Sequence, residues 1–104
     1  MAVSQVIRLQ AAPGRFADLL ERGQKLQKIR ERLAPGAKTR RFVPASGSVA
    51  GALIVVVEFA GFKEYGEYAA RLQDDPEARA MLQSAYTERD PIVLSQTIEL
   101  VREL

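Results

Sequence analysis

The run Ala52-Leu53-Ile54-Val55-Val56-Val57-Glu58-Phe59 sets the architecture of this chain. Four consecutive β-branched residues at its centre favour extended backbone, and Gly51 and Gly61 lie just outside it. Side chains of a strand alternate between faces, so Leu53, Val55, Val57 and Phe59 share one side while Ile54, Val56 and Glu58 share the other. A strand apolar on both sides belongs in the interior of a sheet, with something packed on each face.

On its N-terminal side, Lys38 to Val43 reads as a basic strand, joined to the central run by a turn with Pro44, Ser46, Gly47, Ser48 and Gly51. After the run, Phe62, Tyr65, Ala69 and Leu72 recur at helical spacing over Gly61 to Gln73. Asp74-Asp75-Pro76 breaks this helix. With Asp75 as cap and Pro76 at the first helical position, a second segment runs through Met81, Leu82 and Ala85 to about Tyr86. Pro91 stops it, and Ile92 to Val101 alternates as a closing strand. At the other end, Ala2 to Ala11 alternates as a strand and Pro13-Gly14 turns the chain. A helix from Arg15 then carries Phe16, Leu19, Leu20, Gly23, Leu26, Ile29 and Leu33 on one stripe until Pro35-Gly36. Gly23 on that stripe implies close packing of helix backbone on the sheet.

The order strand, helix, strand, strand, helix, strand is that of an α+β, ferredoxin-like βαββαβ domain spanning 1–104. It predicts a four-stranded antiparallel or mixed sheet. Right-handed crossovers put the helices on one face, over Ile7, Leu9, Leu53, Val55, Val57 and Phe59. No helix is left for the other face, yet Val6, Ile54 and Val56 project from it. Such a patch marks an interface, and a second copy packed sheet against sheet, a dimeric α+β barrel, is the simplest partner. Arg8 and Glu58 project from the same face, as an ion pair within the subunit or across the interface.

Composition removes many chemistries. The 104 residues include no Cys, His, Trp or Asn, which excludes disulfides, thiol nucleophiles, imidazole bases, Cys/His metal sites and haem-ligating histidine. The longest apolar run, Val49 to Val57, is too short to span a bilayer, and the N-terminus lacks the apolar block of a signal peptide, so a cytoplasmic protein is expected. Residues 1–41 carry ten Lys/Arg and three Asp/Glu, and residues 42–104 carry five and ten, a split that a compact domain can neutralise internally.

This arrangement resembles the dimeric α+β barrels that include antibiotic-biosynthesis-type monooxygenases, haem-degrading monooxygenases and NIPSNAP-like proteins. The resemblance rests on the first strand ending in Pro13-Gly14 before Phe16, on Ile54-Val55-Val56-Val57-Glu58-Phe59, on Asp74-Asp75-Pro76-Glu77, and on the closing strand from Ile92 to Leu100. It implies a pocket between sheet and helices, lined in the oxygenases by an amide on the first strand and an indole ending the third; those positions correspond to Ile7 and Phe59. The haem-degrading members take a histidine this chain lacks. A cofactor-free oxygenase needs groups that orient a phenolic substrate, and Tyr65, Tyr68 and Tyr86 are the phenols on offer.

Asp74, Asp75 and Glu77 have the composition of a carboxylate metal site, but acids at a helix start are accounted for by capping and the helix dipole, and no metal is expected. Arg40-Arg41 protects a sheet edge or grips an anion. RNA-recognition domains share this topology, but the positions where they stack bases fall here on Ile54 and Val56, which cannot stack, so nucleic acid is not an expected partner. The sequence therefore leads to a homodimer without cofactor or membrane attachment, with Val6, Arg8, Ile54, Val56 and Glu58 at the interface. Its ligand is a small apolar or aromatic molecule at Phe59, Tyr65 and Tyr86. The alternative is a cofactor-independent monooxygenase acting on an aromatic substrate at that site.

Overall fold

A computed structural model describes residues 1–47, 50–84 and 91–104 in full and residues 85–87 through their backbone. The elements are β1 (Val3–Ala11), α1 (Phe16–Leu33), β2 (Lys38–Phe42), β3 (Ala52–Phe59), α2 (Phe62–Asp74), α3 (Pro76–Thr87) and β4 (Val93–Arg102). The sheet order is β2-β3-β1-β4, and all three pairings are antiparallel. The mixed-sheet alternative is thereby corrected. β1 and β2 run parallel, but β3 returns between them, so no parallel neighbours arise.

Val56 lies opposite Val6 and Val55 opposite Ile7, which puts the two most apolar strands side by side at the sheet centre. On the helix side, Val3, Leu53, Val57 and Phe59 are almost fully buried, with Leu19 and Ile29 of α1 and Tyr68 of α2 also buried. Gly51 has φ +90° in the turn leading to β3, where its carbonyl accepts a hydrogen bond from the Ala11 amide (3.0 Å). A side chain there would be strained and would crowd Gln10 Nε2. Gly23 differs from expectation: a Cβ built on it meets nothing within 4 Å, so close helix–sheet approach does not explain it.

The break between α2 and α3 is built as the sequence implied. Asp75 Oδ2 accepts the Ala78 amide hydrogen bond (2.9 Å), capping α3 with Pro76 at its first position. Arg32, near the end of α1, grips both oxygens of Asp75 (2.8 and 3.0 Å) and reaches Glu77 at 3.3 Å, while Arg71 Nη1 donates to the Leu33 carbonyl (2.9 Å). The three helix ends are thus clamped together. Among the described residues no helix is long and apolar enough to cross a membrane.

The molecule is a slab of 38 × 34 × 17 Å, one sheet and one helix layer thick. Its accessible surface is 7175 Å². A folded monomer of this mass typically exposes about 5,800 Å², so roughly a quarter more surface is open than compaction alone would leave.

Candidate functional site

The helix-free face can be read row by row from the strand registers. One row carries Lys38, Glu58, Ser4 and Val101, the next Arg40, Val56, Val6 and Glu99, and the third Phe42, Ile54, Arg8 and Thr97. Val6, Ile54 and Val56 form an apolar centre, only partly covered, which Phe42 (47% exposed) extends toward the β2 edge. The charges lie around it, Lys38 and Arg40 at one edge and Glu99 at the other. The expected pairing of Arg8 with Glu58 inside the subunit does not occur. Glu58 faces Ser4 and Arg8 faces Ile54, so the two are four positions apart along the strands, about 13 Å.

On the helix side, Phe59 is 2% exposed and wedged between two phenol rings, Tyr65 edge-on at 5.4 Å between centroids and Tyr68 tilted at 5.3 Å. Tyr68 is buried and Tyr65 half-buried. Ile7 lies further along β1 on the same side, next to Val55 on β3. The side chain of Tyr86 lies outside the described residues. Phe59 and Tyr65 are thus brought together as a packed aromatic cluster.

Open apolar surface on this side lies instead along β4, where the helix layer stops short. Ile98 (53% exposed) sits opposite Ile7, and Leu100 (39% exposed) sits opposite Gln5. Gln5, on the helix side between Val57 and Leu100, brings an amide into this strip. The alternation of β4 showed Ile98 and Leu100 to be on one face. Their exposure depends on β4 being an edge strand beyond the helices, which periodicity does not reveal.

The remaining charged candidates separate. Arg40 and Arg41 point to opposite faces of the edge strand, Arg40 beside Val56 and Arg41 toward α1. Asp75 and Glu77 are engaged by Arg32. The Arg32 hydrogen bonds, followed by the Ala78 amide, hold the Asp75 carboxyl below its ordinary range, and Asp75 in turn raises the Arg32 guanidinium. This carboxylate serves as cap and clamp.

No protein-family model matches the chain, and no curated protein sequence matches it. Solved structures do. A NIPSNAP family protein from Agrobacterium tumefaciens superposes with a TM-score of 0.78 at 12% identity, covering 100% of this chain and 94% of that one. An uncharacterized NIPSNAP domain protein from Burkholderia xenovorans gives 0.78 at 14% identity over 98% and 94%. SnoaB, a cofactor-independent oxygenase from Streptomyces nogalater, matches in a mutant form at 0.70 and 11% identity over 98% and 92%. At these identities the likeness is one of architecture. The chain therefore has the ferredoxin-like α+β fold that the NIPSNAP-family and antibiotic-biosynthesis-monooxygenase structures share.

Proposed function

We propose that this protein works as a homodimeric α+β barrel, two sheets packed on their helix-free faces, that binds a small apolar or aromatic molecule on the helix side of β1 and β4. One observation carries the reading: both faces of the sheet bear apolar side chains that the protomer's own helices leave uncovered. Charge selects the packing. A two-fold axis running along the strands between β1 and β3 lays the β2 edge of one protomer, with Lys38 and Arg40, over the β4 edge of the other, with Glu99. Val6 and Val56 then stack at the centre. The ligand would lie on Ile7, Ile98 and Leu100, with Gln5 and the Tyr65 edge of the aromatic cluster supplying polar contacts.

Oxygenase activity is supported by the fold shared with SnoaB, whereas the registers bring the Gln5 amide beside Leu100 and otherwise apolar side chains, Ile7 and Ile98, to the centre of the strip. Binding is therefore the better-supported role. Because the chain contains no cysteine, Val6→Cys and Val56→Cys chains refolded together are a clean test of the interface, since the proposed axis lays Val6 of one protomer over Val56 of the other. Under mild oxidation this mixture is expected to give a covalent dimer joining the two variants, whereas Val56→Cys mixed with Glu67→Cys, on the exposed side of α2, is not. Equal cross-linking in both mixtures, or none in the first, would contradict the packing. For the ligand, 2-naphthol is expected to shift the NMR signals of Ile98, Leu100 and Gln5; no shift there would remove the binding claim.

A further inference from the structure

At the opposite edge of the sheet, α1 and β2 enclose a second concavity, a groove of about 470 Å³. That volume lies within the usual range for small-molecule sites. One end is apolar, formed by Leu20, Val43 and the buried Leu53. The other is polar, formed by Gln24, Gln27, Thr39 and Arg41. The alternation of β2 explains the polar side: Thr39 and Arg41, opposite Val57 and Val55, turn toward α1, while Lys38 and Arg40 turn away. Arg41 is exposed and makes no ion pair among the described residues. One helical turn beyond Gln27 and outside the groove lining, Arg30 is more than nine-tenths buried with no hydrogen-bond partner at its Nε. The nearby carboxylate of Glu31 accepts from Gln27 Nε2 at 3.3 Å, beyond the polar end. An anion would therefore seat away from Glu31, between Arg41 and Gln24.

We propose that this groove binds a small organic carboxylate. The planar guanidinium of Arg41 grips the carboxylate, the Gln24 amide donates to it, and Leu20, Val43 and Leu53 cover the apolar body. An edge-protecting role accounts for a basic residue at this strand, but not for its placement in a groove with amide donors and an apolar floor. The site is separate from the β4 strip and does not depend on it.

The test is an NMR titration of the labelled full chain with 2-naphthoate and its neutral isostere 2-naphthamide at low salt. Naphthoate is expected to shift Gln24, Thr39, Arg41 and Leu53 with a Kd of about 1 mM or tighter, and naphthamide to bind there about ten-fold more weakly. Arg41→Gln, an exposed change whose fold the spectrum itself verifies, is expected to lower naphthoate affinity about ten-fold, and Arg41→Lys less, since an ammonium lacks the two-pronged grip. Equal binding of acid and amide, an unaffected Arg41→Gln variant, or no shift at the groove up to about 10 mM would overturn the proposal. Shifts confined to Ile98 and Leu100 would also overturn it while leaving the β4 ligand site standing.

Discussion

Truncating Phe59 measures whether the aromatic cluster is core or pocket. The ring is 2% exposed and contacts both Tyr65 and Tyr68. A buried phenylalanine removes at least about 150 Å² from water, worth about 4 kcal/mol at 25 cal/mol/Å². Lost ring–ring contacts add to that, and partial collapse of the cavity subtracts. Phe59→Ala is therefore expected to cost about 4 kcal/mol, and Phe59→Leu, which refills most of the space, about 1–1.5 kcal/mol. Urea unfolding of the wild type and both variants reads this directly. At a slope of about 2 kcal/mol/M the alanine midpoint falls by about 2 M. Protein concentration must be held fixed, because a dimer's stability depends on it. A Phe59→Ala loss below about 1.5 kcal/mol would refute the filled core and show that the ring borders space a substrate could occupy, raising the oxygenase reading above the binding one.

Three further outcomes follow from other parts of the molecule. Gly23→Ala meets open space inside α1 and is expected to stabilise by about 1 kcal/mol, raising Tm by about 4–8 °C in a thermal melt; a loss of stability would show a packing role the geometry does not contain. Arg40→Glu is expected to weaken the dimer and the double variant Arg40→Glu/Glu99→Arg to restore it in sedimentation, whereas an additive double variant would exclude the strand-parallel two-fold axis. Because the folded Asp75 carboxyl is held below its ordinary 3.8, its contribution is complete above that value and is lost as pH falls through the lower folded one. The stability gap between wild type and Asp75→Asn should accordingly be largest near neutrality, begin to narrow only below about pH 4 and close once the pH is under the lowered folded value, and a gap that persists in stronger acid would contradict the Arg32 clamp as its cause.

Much of the architecture is legible because local signals agree with the global fold. The Ile54–Val57 run, the Pro13-Gly14 turn and the Asp75-Pro76 cap each specify their element without reference to distant residues, and each forms as read. The helix-free face was legible too, since alternation alone assigns Val6, Ile54 and Val56 to it. What periodicity lacks is register. Arg8 and Glu58 share a face, but only the pairing of Glu58 with Ser4 shows that they are too far apart to meet. The same limit hides the exposed Ile98 and Leu100 and the different surroundings of Arg40 and Arg41. Whether a strand-side residue is core or open depends on how far the helix layer extends, a property of packing between elements distant in sequence. Gly23 fails for a related reason: glycine on a buried stripe suggests close approach, but a Cβ at this position meets open space.

Whether two sheets pair on their helix-free faces is decided by sedimentation equilibrium of the unmodified protein at micromolar concentration, alongside Val56→Asp at the same concentration. The expected mass of the wild type is twice that of the 11.5 kDa chain. Val56→Asp is expected to dissociate or unfold, because it desolvates a carboxylate at the apolar centre of the paired sheets, a cost that pairing with the neighbouring Arg40 does not recover. A wild-type mass of 11.5 kDa, or a Val56→Asp variant that remains folded and fully dimeric, would contradict the sheet-to-sheet dimer.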